Sequence, residues 1–328
     1  MNISIIIPIF NRKIWVDKMF QRLLDLDIEH AEVIIVDDGS TDGTLEQLQQ
    51  LTTDKFELKI LYQKNSGPAT ARNLGFKHSS GKYIQFLDSD DFLTPNKVKE
   101  QIKYLESNCN VDVVYGSWRM GEFWESSKLI RAQDNKDMVI NLLQGKFNPN
   151  FSYLFRREVV ERVNGWKECH KLNDDFDFAL RIAASGAKFD CVPDLVTGFY
   201  QWHPYERLSR QSDTANAIAT YPMLENAISI CSKKENLTKS RSHAFASCYW
   251  NLAVKAFPDN IDVFIQGVNF ARNIDAEALP HNFLSRLCGL NQYANFINVK
   301  SKLRSQLKRI AVVLGVRKIV RAIRQVKA

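Results

Sequence analysis

The sequence is poor in the residues that mark several common classes of protein. Its 328 residues contain 14 glycines and nine prolines, too few for a fibrous or low-complexity chain. None of the six cysteines forms a C-x-x-C pair, which argues against a zinc framework. No run approaches the roughly 20 apolar residues of a membrane-spanning helix. We therefore expect a globular chain of about two domains.

The start of the chain lacks the features of a secretory leader. No basic residue precedes the first apolar run, which Pro8 interrupts and which ends at Asn11 and Arg12. The wide, irregular spacing of the cysteines suits thiols in a reducing compartment. We therefore expect a cytoplasmic protein.

The positive charge is concentrated at one end. The net charge is +7, but residues 299–328 carry ten basic side chains and no Asp or Glu. The other 298 residues carry 34 basic and 37 acidic side chains, a net charge of −3. The basicity therefore belongs to the tail, and we expect no nucleic-acid partner.

The tail has the pattern of an amphipathic helix. Leu303, Leu307 and Ile310 form one apolar stripe, and a second stripe runs through 316–323, with Lys and Arg on the intervening faces. Such a helix suits the surface of an anionic membrane. The alternative is a helix that packs its apolar stripe on the protein and leaves its charges in water. Both interpretations stay open.

The first 115 residues alternate strand and helix patterns. Buried strands are predicted at 3–9, 33–36, 58–62 and 83–87, and helices at 14–26, 44–51 and 69–78. This alternation is typical of an α/β fold with a mostly parallel sheet covered by helices. Ligands of such sheets bind beyond the carboxyl ends of the strands.

The rest of the chain divides into less regular and helical parts. Between 116 and 210 we predict a strand at 152–155 and helices at 138–143, at 157–163 and from 174 to about 186. From about 212 every predicted element is helical: 217–230, 243–257, 261–271 and 284–296. The expected organisation is an α/β domain at 1–210, a helical region at 211–298 and the basic tail at 299–328.

Carboxylates follow two of the predicted strands. Asp37 and Asp38 follow the second strand, and Asp88, Asp90 and Asp91 follow the fourth. Because close carboxylates repel one another, a divalent cation such as Mg²⁺ or Mn²⁺ would stabilise them. The alternative is that Asp simply favours turns and caps. For the first pair both explanations stand, whereas the Asp-x-Asp spacing of the second cluster favours a metal.

A third acidic cluster, Asp174, Asp175 and Asp177, lies at the start of a predicted helix. Carboxylates there interact favourably with the helix macrodipole, which alone explains their presence. A carboxylate facing a cleft would instead serve as a general base.

Four segments, 4–12, 33–44, 65–75 and 81–91, together resemble the family 2 glycosyltransferases of the GT-A fold. Their order and spacing are specific, and the resemblance covers about the first 210 residues. It implies metal-dependent, inverting transfer of a sugar from a nucleotide-diphosphate sugar, more often a UDP-sugar, to a hydroxyl of a glycan or lipid-linked acceptor. It also implies a role in bacterial surface polysaccharide synthesis, where the tail would contact the cytoplasmic face of the inner membrane.

The resemblance assigns roles to individual positions. The positions that it implies for the nucleotide sugar are Pro8, Phe10, Arg12, Asp38, Gly67, Pro68, Arg72, Asp88, Ser89 and Trp166. The positions that it implies for Mn²⁺ or Mg²⁺ are Asp88, Asp90 and His203, although His203 is equally well explained as structural.

Asp174 and Asp175 occupy the place of the family's Glu-Asp motif, whose second residue is the catalytic base. Since the first residue here is Asp rather than Glu, Asp175 is the better candidate, and Asp174 is its neighbour in the motif.

Three other classes fit the sequence less well. A sugar nucleotidyltransferase requires a glycine-rich phosphate loop after the first strand, but residues 8–13 contain no glycine. A dehydrogenase would carry G-x-G-x-x-G at that place. A non-catalytic binder of membrane or nucleic acid, acting through the tail, leaves the acidic strand ends unexplained.

Overall fold

The computed structural model describes residues 2–28, 30–133, 136–146, 148–202, 212–257 and 259–278. His203, the predicted helix at 284–296 and the tail at 299–328 lie outside these residues. The described chain divides into two compact units. The first comprises residues up to 202 together with 225–237, and the second comprises 212–224 together with 238–278.

The first unit is built on one mixed sheet. Its strands in the described residues are β1 (Ile3–Ile9), β2 (Glu32–Asp37), β3 (Glu57–Tyr62), β4 (Tyr83–Phe86), β5 (Phe92–Leu93), β6 (Val113–Gly121), β7 (Lys128–Ile130), β8 (Leu154–Arg156) and β9 (Phe189–Gln201). Their order is β3-β2-β1-β4-β8-β6-β9-β5, and β7 pairs with β6. β3, β2, β1 and β4 run parallel, as do β6 and β9, whereas β8 is antiparallel to both its neighbours.

The described helices connect and cover these strands. They are α1 (Lys13–Leu24), α2 (Thr44–Leu48), α3 (Pro68–Lys77), α4 (Lys97–Ser107), α5 (Met138–Leu143), α6 (Arg157–Arg162), α7 (Asp174–Ala184), α8 (Asp213–Lys233), α9 (Lys239–Ala256) and α10 (Ile261–Ile274). The mostly parallel α/β fold with helices after it is therefore confirmed.

The two faces of the sheet carry different helices. On one face, Val16 of α1 and Val98 of α4 join the main core with Ile5 and Ile7 of β1. On the other face, Ala71 of α3 packs against β2. Every residue of β1 and β2 is buried, because helices on both sides exclude water from the β-branched runs.

The sequence did not predict α4, β5, β6, β7 or β9. β9 contains Pro193 and Gly198, residues that usually interrupt a strand. It still pairs along β6 in parallel, with irregular register between Gly116 and Arg119. Gly198 is required there, since a Cβ at this position would overlap the backbone oxygen of Phe92. Long-range pairing overrides the local pattern in this part of the sheet.

In the second unit, α9 and α10 pack together with the first turns of α8. Tyr221 contacts Tyr249 and Phe270, with ring centroids 5.3 and 5.9 Å away. Its hydroxyl donates a hydrogen bond to the carbonyl of Val263 at 3.2 Å and lies where a Cβ on Gly267 would fall. No helix among the described residues is long and apolar enough to cross a membrane.

We expect Gly75→Ala to lower the free energy of unfolding by about 1–3 kcal/mol. In an exposed helix the same change would raise it, because Ala has the higher helix propensity. Here the new Cβ would lie 2.5 Å from Cγ2 of Ile6 and 3.2 Å from Cγ2 of Val36, forcing α3 away from the sheet. Urea denaturation measures the difference, with the exposed Lys77→Ala in the same helix as the control. A Gly75→Ala protein as stable as the wild type would contradict this packing.

Candidate active site

The loops that follow β1 and β2 are bound to each other at the carboxyl edge of the sheet. Asn11 adopts a left-handed conformation with φ 48°, and its side-chain oxygen accepts a hydrogen bond from the Thr41 amide at 2.8 Å. The Asn11 amide donates to Oγ of Ser40, and the Arg12 amide donates to Oγ1 of Thr44. These hydrogen bonds hold the two loops together as one surface.

The residues of this surface differ in accessibility. Phe10 is 42% exposed, so its ring is available to a ligand. Pro8 is buried within β1, opposite Val36 of β2. It therefore supports the end of the strand and is not itself exposed to a ligand. Arg12 is partly buried beside these loops.

The adjacent carboxylates Asp37 and Asp38 hold different loops. Asp37 accepts hydrogen bonds from the amides of Gly39 and Ser40, the turn directly after β2. Asp38 is 4% exposed and reaches the loop after β3. Its hydrogen-bond donors there are the side chain of Gln63 at 2.7 Å and the amides of Ser66 and Gly67 at 2.8 Å. A carboxylate has about four acceptor positions, which leaves room for one further donor from a ligand.

A buried guanidinium joins the two acidic clusters of the site. Arg72 of α3 is 5% exposed. It donates through Nη1 to Oδ2 of Asp174 and through Nη2 to Oδ1 of Asp88, each at 2.7 Å. Burial acts to lower the pKa of Arg72, but Asp88 and Asp174 outweigh it and raise the pKa above the usual value. The end of β4 and the start of α7 are therefore held together by one side chain.

Trp166 lies beneath this ion pair. The Arg72 guanidinium stands 4.3 Å from the centroid of the indole, which in turn stacks on Phe178 of α7 at 4.2 Å. Asn73 fixes the Trp166 backbone by accepting from its amide at 2.8 Å and donating to its carbonyl at 2.9 Å. Since Trp166 is only 2% exposed, its side chain supports Arg72.

A second buried arginine, which the sequence did not single out, anchors the same loop. Arg181 of α7 pairs with Asp177 one turn earlier at 2.6 Å. Its Nη1 donates to the carbonyls of Val163 and Gly165, each at 2.8 Å. Both side chains are almost fully buried, so the loop before Trp166 is fixed to α7. The only sign of this arginine in the local sequence is the spacing of four residues between Asp177 and Arg181. That spacing predicts the ion pair but not the bonds to the two carbonyls.

Asp174 and Asp175 begin α7 but have different surroundings. Asp174 is held by Arg72, whereas Oδ1 of Asp175 accepts from the Phe176 amide at 2.8 Å. Burial, aided by the charge of Asp174, raises the pKa of Asp175 to about 6. A carboxylate with such a pKa can accept a proton near neutral pH.

The end of β4 carries two carboxylates of the kind that hold divalent cations. Asp88 and Asp90 are partly exposed there, while Ser89 and Asp91 are buried. The described residues contain no cluster of three or more His, Cys, Asp or Glu side chains arranged to hold a metal. Two carboxylates still suit Mg²⁺ or Mn²⁺, which commonly bind one or two carboxylates together with substrate phosphates. Since Oδ1 of Asp88 is paired with Arg72, its other oxygen and those of Asp90 are the candidate ligands.

We expect Asp175→Asn to be more stable than the wild type near neutral pH. The folded-state pKa of about 6 exceeds the ordinary value of 3.8, so ionisation is less favourable in the folded protein. The stability contributed by the protonated group is full below about pH 4 and is lost as the pH rises through about 6.

The stabilisation by Asn should be on the order of 1–3 kcal/mol at about pH 7.5 and vanish at about pH 4. Denaturant unfolding at both pH values measures the difference in free energy of unfolding, and Asp54→Asn at an exposed position is the control. The same difference at both pH values would refute the raised pKa.

Comparison with known proteins agrees with the geometry. Residues 4–163 match the model of "Glycosyl transferase family 2". An uncharacterized glycosyltransferase of Rickettsia bellii is 45% identical over 106 residues, which are 32% of this chain and 15% of that protein. The putative teichuronic acid biosynthesis glycosyltransferase TuaG of Bacillus subtilis is 38% identical over 109 residues, 33% of this chain and 43% of that protein. The chain thus spans less than half the length of these relatives.

Solved structures share the fold. S. aureus TarS 1–349 in complex with UDP-GlcNAc superimposes with a TM-score of 0.59 at 16% identity, covering 88% of this chain and 92% of that one. The mannosyltransferase PcManGT of Pyrobaculum calidifontis, in complex with GDP-Man and Mn²⁺, gives 0.56 at 17%, covering 96% and 86%. Arg72 and Asp88 lie within the matched residues, whereas Asp174 and Asp175 follow them. Residues 4–163 of this chain are thus a glycosyl transferase family 2 domain.

Proposed function

We propose that this protein is an inverting glycosyltransferase. It transfers a sugar from a UDP-sugar to a hydroxyl of a glycan or lipid-linked acceptor in the synthesis of a surface polysaccharide. The observation that carries the proposal is the difference between two adjacent carboxylates, one paired with an arginine and the other not. Asp174 is held by Arg72, and Asp175 has a pKa of about 6 at the same helix end. TuaG, as a putative teichuronic acid enzyme, supports a polysaccharide product.

The nucleotide lies at the carboxyl edge of β1 and β2. Phe10 offers an exposed ring to the base, and Asp38 has an acceptor position left for it. Gly67, with φ 96° and open space where a Cβ would be, lets the loop after β3 approach the ligand. Pro68 and Arg12 border this place. The structural neighbours that bind UDP-GlcNAc and GDP-Man support a nucleotide sugar as the ligand.

The diphosphate lies at the end of β4. Asp88 and Asp90 would hold Mn²⁺ or Mg²⁺ there, and a bound cation supplies Lewis-acid stabilisation of the leaving diphosphate. Arg72 fixes the direction of the Asp88 side chain, because its buried guanidinium donates to Oδ1 of Asp88 at 2.7 Å. The manganese in PcManGT supports the metal.

Asp175 takes the proton of the acceptor hydroxyl as that oxygen attacks the anomeric carbon. A single displacement from the side opposite the leaving diphosphate inverts the anomeric configuration. The base works because its pKa is near the working pH: it is mostly ionised at pH 7 and basic enough to accept a proton. Residues 299–328, outside the described residues, would bring the domain to the inner membrane that carries a lipid-linked acceptor.

We expect Asp175→Asn to bind the donor as the wild type does and to lose transfer by about 10²–10⁴-fold. Wild-type turnover should rise with pH through an apparent pKa near 6, because only the ionised carboxylate accepts the proton. The measurement is release of nucleoside diphosphate from a panel of nucleotide sugars, with Asp54→Asn as the control. Turnover of Asp175→Asn close to that of the wild type would remove this residue from the mechanism.

We expect Asp90→Ala to weaken donor binding in the presence of Mn²⁺ by tenfold or more, with little effect in its absence. The lost carboxylate is one of the two oxygen donors at the end of β4. Calorimetric titration of the donor with and without Mn²⁺ measures the effect, and Asp54→Ala is the matched control. An identical metal dependence in Asp90→Ala and the wild type would show that Asp90 is not a ligand.

A further inference from the structure

A groove of about 390 Å³ opens on the α1 side of the first unit. It lies between α1, β5 and the turn after β6. The side chains that form its aromatic walls and its positive side are Phe92, Phe123, Trp124, Phe199, Lys18 and Arg22. None of them belongs to the site around Arg72.

The aromatic walls are fixed and partly open. Phe92 and Phe199 stack with centroids 5.6 Å apart and planes 15° from parallel. Trp124 stands edge-on to Phe199 at 5.8 Å, and the guanidinium of Arg119 covers the indole at 5.3 Å. Trp124 nevertheless remains 42% exposed, and its neighbour Phe123 is 61% exposed. An aromatic ring that is held in place by its neighbours and still exposed to water, as Trp124 is, is typical of a binding site.

The positive side of the groove consists of two cations that lie over aromatic rings, Arg22 over Phe92 and Lys18 over Trp15. Neither Lys18 nor Arg22 forms an ion pair with a described residue, and Nη1 of Arg22 is buried without a hydrogen-bond partner among those residues. Burial lowers the pKa of Arg22 to about 10, although Asp25 acts in the opposite direction. A partly buried guanidinium with a nitrogen that has no hydrogen-bond partner among the described residues binds a carboxylate or phosphate favourably, because its hydrogen bonds to an anion are charge-assisted.

The rim supplies the remaining polar groups. The exposed carboxylates of Glu122 and Glu125 and the hydroxyl of Thr94 line the opening and can accept hydrogen bonds from hydroxyl groups. A flat apolar face, one anion-binding guanidinium and several hydroxyl acceptors together match a sugar ring that carries an acidic group. The volume is too small for a protein segment of ordinary interface size.

The groove lies beside the proposed active site along the chain. Phe92 follows Asp88 by four residues, so their Cα atoms are at most about 14 Å apart. A saccharide in the groove is therefore within a short oligosaccharide's reach of the end of β4. We propose that the groove binds an acidic sugar residue of the acceptor glycan, with its carboxylate or phosphate on Arg22 and its ring against Trp124. Only the identification of this glycan as the acceptor rests on the proposed function.

Calorimetry on the full chain without nucleotide sugar tests the groove. The probes are tetragalacturonate, which carries carboxylates, its methyl ester, which is neutral, and mannopentaose phosphate. We expect at least one acidic probe to bind tenfold or more tightly than the ester, and the better of the two identifies the anion. Arg22→Gln and Trp124→Ala should each weaken that binding tenfold or more. Lys77→Gln, which removes an exposed charge from α3, should leave it unchanged.

Three results would overturn the proposal: no binding of either acidic probe, equal binding of acid and ester, or unchanged binding in the folded Trp124→Ala protein. Binding of anionic lipid vesicles that Arg22→Gln and Trp124→Ala abolish would also overturn it, since the surface would then recognise lipid. Circular dichroism shows whether each variant is folded. If Arg22→Gln does not fold, Trp124→Ala alone decides the test, because Trp124 is partly exposed and its loss should not unfold the protein. UDP-GlcNAc binding measured in parallel should be equal in these variants and the wild type. If no nucleotide sugar binds at all, the proposed function fails while the result at the groove stands.

Discussion

The candidate site depends on one buried guanidinium placed between two carboxylates. Arg72 comes from α3, Asp88 from the end of β4 and Asp174 from the start of α7. Without Arg72 the two carboxylates would lose their shared counter-ion, and without both carboxylates a positive charge would be left buried. Breaking such a pair is far more costly than never forming it. The constraint thus holds the end of β4, where we propose that the metal binds, next to the helix that carries Asp175.

The sheet separates two kinds of surface that meet at its carboxyl edge. On the α3 and α7 side, Trp166 and Phe178 support Arg72, and Arg181 holds the preceding loop by its carbonyls. On the α1 side, stacked aromatic rings border a groove that contains Arg22, whose Nη1 has no hydrogen-bond partner among the described residues. The loop from Asp88 to Asp91 links these surfaces. The proposed donor site and the proposed glycan groove therefore lie on different faces of one edge of the sheet.

Much of the first half of the fold could be predicted because its strands are covered on both faces. β1 and β2 are continuous apolar runs, so burial alone identifies them, and their observed ends differ from the prediction by about one residue. β9 could not be found in this way. It contains Pro193, exposes several residues and pairs with β6 through a shifted register. Its strand conformation comes from a partner about 75 residues earlier in the chain, which no local pattern reports.

The order and chemical type of the candidate site residues were determined by the sequence alone, because each acidic cluster directly follows a strand or begins a helix. The sequence also indicated that Asp175 is a better base than Asp174, but only by resemblance. The physical difference between them was decided by the tertiary structure. Arg72 lies 102 residues before Asp174 and pairs with it and not with Asp175. That choice depends on how α3 and α7 pack on the sheet, and burial then raises the pKa of the carboxylate that was left without the arginine.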